Sequence, residues 1–78
     1  MDDATPMKLD LKGLKCPLPA LHTRRALERA APGTRVEVAC TDPMSVIDIP
    51  NMVRETGNVL DGQEASGTYY VFRIRKAG

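Results

Sequence analysis

Apolar and polar residues alternate in three stretches of the chain. In Met7-Lys8-Leu9-Asp10-Leu11 every second residue is apolar, the period of a half-buried strand. From Thr34 to Cys40, Val36, Val38 and Cys40 share one face; Arg35, Glu37 and Ala39 share the other. From Thr68 to Lys76, Tyr70, Phe72 and Ile74 face in, while Tyr69, Val71, Arg73 and Arg75 face out. A weaker strand is predicted over Asn58 to Ala65, with Ser66-Gly67 as the following turn. Between the first two strands the period lengthens. A helix from Pro17 to Ala31, turning about 100° per residue, sets Ala20, Thr23, Leu27, Ala30 and Ala31 toward the sheet. His22, Arg25 and Arg29 fall on its opposite side, and Pro32-Gly33 stops it. A second helix starts at Thr41-Asp42-Pro43, with Asp42 as N-cap and Pro43 at the first helical position. Asp48-Ile49-Pro50 predicts a kink or restart, because a residue before proline avoids the helical region. Gly57 ends this helix.

The order is βαβαββ. Strands that alternate apolar with polar have one covered face. Two helices on one face of a four-stranded mixed sheet meet that demand, giving a two-layer α+β sandwich. A right-handed crossover is the default for the first βαβ unit. Residues 1–6 read as a flexible N-terminal tail and 7–76 as one domain.

Length narrows the function classes. A chain of 78 residues buries only about 60–65% of the surface its unfolded form exposes, too thin a core for a large internal active site. There is no Trp, with two Tyr and one Phe, so the stacking platforms of single-stranded nucleic-acid binders are nearly missing. A net charge of +1 gives no general case for DNA or a membrane surface. No apolar run reaches the roughly 18 residues of a membrane span. The start Met1-Asp2-Asp3-Ala4-Thr5-Pro6 has no signal-peptide pattern, so a cytoplasmic location is expected. Thiols are kept reduced there. The two cysteines are not in CxxC spacing and one His is too few for a zinc site; no metal and no cofactor are expected.

The chemistry concentrates at Cys16-Pro17-Leu18-Pro19. Two prolines within three residues are tolerated only in the first turn of a helix. Cys16 therefore lies at or just before the N-cap, held outward at a fixed angle. A thiol there meets the positive end of the helix dipole and the N–H groups of Leu18 and Ala20, which favours the nucleophilic thiolate. The prolines remove two donors and make that effect modest. A lone Cys in a small domain is more often a buried hydrophobe; the flanking prolines argue against that for Cys16. Cys40, on the face of Val36 and Val38, is read as a core residue. His22 has the wrong angular spacing to act as a base for Cys16. Lys12, Lys15 and Arg24 are candidate cations beside the anion. Arg25 and Arg29, with Lys15, form either a docking face or an ordinary solvated one.

From these residues the chain resembles the TusA/SirA-type sulfur carriers. The stretch Leu9 to Pro19 is similar to the opening strand, glycine and CPxP helix start of that family. Pro32-Gly33, Thr41-Asp42-Pro43, Asp48-Ile49-Pro50 and Phe72-Arg73-Ile74-Arg75-Lys76 also fit, so the resemblance covers about residues 7 to 76. It implies a fold like the C-terminal domain of translation initiation factor 3. It also implies a reactive Cys16 that accepts sulfane sulfur from a cysteine desulfurase or rhodanese and passes it on as a persulfide. Pro17, Leu18 and Pro19 would support the site; Lys12, Lys15, Arg24, Arg25 and Asp48 would contact the thiolate or a partner. The destinations in the family are a downstream acceptor protein of tRNA thiolation, cofactor biosynthesis or sulfur oxidation. Leu18 and Ile47 stand where members of the tRNA-thiolation branch often carry Glu and Arg, so docking here is expected to be more apolar.

The expectation is thus a protein sulfur carrier with sulfurtransferase chemistry, not a stand-alone catalyst. Two other readings stand beside it. A thiol redox sensor would need a resolving cysteine, and Cys40 is a poor one. A small regulatory or RNA-binding module rests on fold analogy alone. A carrier of the C-terminal thiocarboxylate kind would end in Gly-Gly, and this chain ends Lys76-Ala77-Gly78.

Overall fold

A computed structural model describes residues 6–77, so most of the expected tail lies outside the described residues. Four strands and two helices follow one another as β1 (Met7–Asp10), α1 (Leu18–Arg29), β2 (Arg35–Cys40), α2 (Ser45–Glu55), β3 (Val59–Ser66) and β4 (Tyr69–Arg75). They form a mixed sheet in the order β1-β2-β4-β3, with both helices against one face.

The connections explain the order. β1 and β2 are parallel, with Met7 opposite Val36 and Leu9 opposite Val38. Parallel neighbours need a crossover, and α1 supplies it. β3 and β4 are joined by the two-residue turn Gly67-Thr68, one residue beyond the predicted turn. Gly67 has φ +64 at the first central position, the pattern of a type II′ hairpin that matches strand twist.

The core lies under the two central strands. Val36 opposes Ile74 and Val38 opposes Phe72, and all four are sealed from solvent. Leu27 closes the core from α1; Ile49, Met52 and Val53 close it from α2. Cys40 is fully buried among them, as its strand face requires. The opposite sheet face is polar. Glu37 lies 3.9 Å from Lys8 and 3.5 Å from Arg73, which also pairs with Glu64 at 2.8 Å. Such exposed pairs add little each, but they keep that face hydrated.

Several boundaries differ from the sequence reading, each for a local reason. α1 ends at Arg29 because Ala30 is already extended, at φ −84 and ψ 148. Ala31 is therefore exposed and does not face the sheet, whereas Pro19 is buried with Thr23 and Leu27. Asp42 is not the N-cap of α2, nor is Pro43 its first residue. A turn through Pro43 and Met44 comes first, and Asp42 ties it by accepting the Met44 N–H at 3.0 Å. The helix runs through Pro50 without the expected restart. Pro50 stands in the middle of the helix and forfeits the bond to the Val46 carbonyl, while Ile49 and Val53 anchor this stretch in the core. α2 stops in a Schellman arrangement. Asn58 N–H reaches the Val53 carbonyl at 3.0 Å, Gly57 N–H reaches Arg54 at 3.1 Å, and Gly57 takes φ +78. β3 runs one residue further than predicted and contains a bulge at Asp61, whose carboxylate accepts from Arg75 at 3.1 and 3.3 Å.

Candidate functional site

Cys16 sits immediately before Pro17, which is the N-cap of α1, with Pro19 in the first turn. The Cys16–Pro17 peptide is cis. Of the two cysteines, Cys16 is exposed and Cys40 buried. This is the placement the two prolines dictate: neither can lie deeper in a helix, so the residue ahead of them stays on the surface.

The loop that carries Cys16 is held by the turn after β2. Leu11 N–H extends the β1–β2 ladder to the Ala39 carbonyl at 2.8 Å. Gly13 N–H then donates to Thr41 Oγ1 at 2.9 Å, and the Cys16 N–H donates to Asp42 Oδ2. Asp42 divides its carboxylate between that loop and the Met44 N–H of the next turn. The thiol is thereby set against the first turns of α2. Its Sγ lies 2.8 Å from Asp48 Oδ2, within reach for the thiol to donate. Cys16, Asp42 and Asp48 thus converge from three segments, two of them beyond the carboxyl ends of parallel strands, where open sheets commonly place their sites.

The electrostatics reverse one expectation. The thiol is not acidified. Its hydrogen bond to Asp48 holds it above the ordinary 9.0, helped by slight desolvation and by the charges of Asp48 and Asp42. The helix start gives little in return. Pro17 and Pro19 have no N–H, and the Leu18 N–H turns back to the Lys15 carbonyl at 2.9 Å. Asp42 moves the other way: the Cys16 and Met44 N–H groups hold its carboxyl below the usual range, with Lys15 nearby. Burial pushes the Cys40 thiol up to about 11.

The predicted cations scatter. Lys12 Nζ lies 3.9 Å from Asp10 and 4.7 Å from the Tyr69 ring centre, on the open sheet side and away from the thiol. Lys15 places its charge near Asp42. Arg24 borders the groove that holds Cys16 but pairs with Glu28 at 3.4 Å. Arg25 and His22 border a different hollow with Leu18 and Leu21. That groove, about 360 Å³, runs between α1 and α2 and is lined by Pro17, Leu21, Asp48, Asn51 and Met52 among others. Large apolar side chains are exposed on the elements that carry the site: Leu18 and Leu21 on α1, Met44 in the turn before α2 and Ile47 on α2 are 43%, 53%, 46% and 51% exposed, and Leu21 lines the groove itself. Leu21, Met44 and the anchoring role of Asp42 escaped sequence reading. Asp42 looked like a cap because it does cap, though for a turn and for Cys16 as well.

Among the described residues no three His, Cys, Asp or Glu gather as a metal site, and no helix is long and apolar enough to cross a membrane. Residues 7–76 match the family described as sulfurtransferase TusA.

The chain belongs to the sulfurtransferase TusA family.

Relatives agree. The chain is 37% identical over 70 residues to the sulfur carrier protein TusA of Allochromatium vinosum, covering 90% of this chain and 92% of that one. It is 34% identical over 70 residues to the putative sulfur carrier protein YrkF of Bacillus subtilis, covering 90% of this chain and only 38% of the relative's length. A crystal structure of a SirA-like protein from Desulfitobacterium hafniense superposes with a TM-score of 0.74 over 92% of this chain and 99% of its own. At 21% identity that likeness speaks for the fold, a two-layer α+β sandwich. The TusA-family match and the strand pattern therefore lead to the same architecture.

Proposed function

We propose that Cys16 is the carrier thiol of this TusA-family protein, taking up sulfane sulfur as a persulfide and handing it to an acceptor protein. The observation that carries this reading is the exposure of Cys16 at the start of α1, tied by its own N–H to Asp42 while Cys40 is sealed in the core. An exposed thiol on a rigid turn can reach into a partner's site. Among the described residues the thiol borders the groove between the helices, an open surface on which a partner can supply the specificity.

The exchange conserves electrons. Cys16 Sγ attacks the outer sulfur of a donor persulfide, the new Sγ–S bond forms, and the donor's S–S bond breaks. The thiol proton leaves Cys16 and the released donor sulfur takes one up. Delivery repeats the step with the acceptor's thiolate as nucleophile. A cysteine desulfurase or rhodanese fits the donor role. The acceptor belongs to a relay for tRNA thiolation, cofactor biosynthesis or sulfur oxidation, and a cytoplasmic setting suits a free thiol. Pro17 and Pro19 fix the turn, and the exposed side chains of Leu18, Leu21, Met44 and Ile47 are the surface partners meet.

Cyanide releases thiocyanate from sulfane sulfur. After incubation with a cysteine desulfurase and cysteine, followed by removal of both, wild type and Cys40→Ala are expected to yield about one thiocyanate per chain, and Cys16→Ala none. Equal yields from Cys16→Ala and wild type would end the assignment.

A further inference from the structure

The site contains an arrangement that a thiol kept permanently reactive would not have. Its Sγ faces the Asp48 carboxylate at 2.8 Å, and Asp42 lies close by. From α2, Asp48 and Glu55 face the groove; from α1, Arg24 does, already paired with Glu28; from the turn after β2 comes Asp42, which holds the Cys16 and Met44 N–H groups with the Lys15 charge nearby. Carboxylates thus crowd the thiol, and no cation is hydrogen-bonded to Asp48 among the contacts described.

We propose that Asp48 governs when Cys16 reacts: it holds the thiol's hydrogen in the free protein, and exchange is favoured with partners that carry a positive group into the groove between α1 and α2. The inference rests on Cys16 being the exchanging thiol. A cation that pairs with Asp48 takes away the acceptor of the thiol hydrogen bond and the charge that disfavours the thiolate. The exposed apolar side chains of the same elements, Leu21 in the groove and Leu18, Met44 and Ile47 beyond it, give such a partner an apolar footing. An anionic partner meets Asp48 and Glu55 instead, and the exchange is slowed. Asp48 is therefore a positioning residue with an electrostatic role, and its state differs between free and docked carrier.

Small disulfides of opposite charge test this directly. Cys16 thiolate attacks one sulfur of the reagent, a mixed disulfide forms, and the other half leaves as a thiolate, with the reagent as oxidant. The reagents are cystamine, which is cationic, and 3,3′-dithiodipropionate, which is anionic. The rate ratio between them is compared across wild type, Asp48→Asn and Asp48→Glu, so the intrinsic reactivity of each reagent cancels. The cationic preference is expected to fall about three- to tenfold in Asp48→Asn and to survive in Asp48→Glu. The pH midpoint of iodoacetamide alkylation is expected to drop in Asp48→Asn, because the carboxylate charge beside Sγ is gone. An unchanged preference together with an unchanged midpoint would overturn the proposal. Circular dichroism guards against a folding defect, and Asp48→Glu supplies the positive control. If Cys16 shows these effects yet never accepts sulfane sulfur, the carrier reading fails separately.

Discussion

At the scale of single residues, Asp42 does more than its place in the sequence suggests. One carboxylate oxygen fixes the Cys16 N–H and the other fixes the Met44 N–H, so a single side chain joins the loop after β1 to the turn before α2. Both contacts are charge-assisted, the stronger class of hydrogen bond. Replacing Asp42 with Ala is expected to lower the melting temperature by a few degrees and to loosen the Cys16 loop, seen as faster amide exchange at Gly13 and Cys16. The sign with pH follows from the same contacts. Because Asp42 is held below its unfolded value, its contribution is present above the ordinary carboxylate value of 3.8 and is lost as pH falls below it. An acid titration of wild type against Asp42→Ala checks this, since the variant should lack that part of the acid loss. Prolines placed Cys16 correctly from sequence, because their steric demands are local. The state of its thiol was not legible, since Asp48 lies 32 residues away along the chain and only the fold brings it to Sγ.

At the scale of elements, strand faces were readable where the period was unbroken. Val36, Val38 and Cys40, and again Phe72 and Ile74, lie where alternation puts them. The bulge at Asp61 was not readable, because one extra residue in β3 shows only once its partner in β4 is known. Helix ends were misjudged where two signals compete. Pro50 argued for a break, but burial of Ile49 and Val53 kept α2 whole at the loss of one backbone bond. Pro50→Ala is therefore expected to restore that bond and stabilise the protein by about 1–2 kcal/mol, the helical gain being partly offset by a freer unfolded chain. Chemical denaturation measures it; a loss of stability would mean that the proline fits its place better than a continuous helix would.

At the scale of the whole molecule, a thin core supports one exposed thiol and seals the other. Cys40 ties this core to pH. Its thiol stands at about 11 when folded against an ordinary 9.0, so the folded chain keeps a proton that the unfolded chain loses. Its share of stability is intact below about pH 9 and is lost as pH rises through 11. Melting temperatures of wild type should fall across that window more steeply than those of Cys40→Val, which has no proton to lose. With Cys40 inert at neutral pH, the two sulfurs divide cleanly, and the account of this chain as a sulfur carrier depends on Cys16 alone. The most direct measurement is intact-protein mass spectrometry under non-reducing conditions, after incubation with a cysteine desulfurase and cysteine. Wild type and Cys40→Ala are predicted to gain the mass of one sulfur atom, removable by reductant, while Cys16→Ala gains nothing. Sulfur retained by Cys16→Ala, or no gain in wild type with a desulfurase, a rhodanese or inorganic polysulfide as donor, would contradict the account.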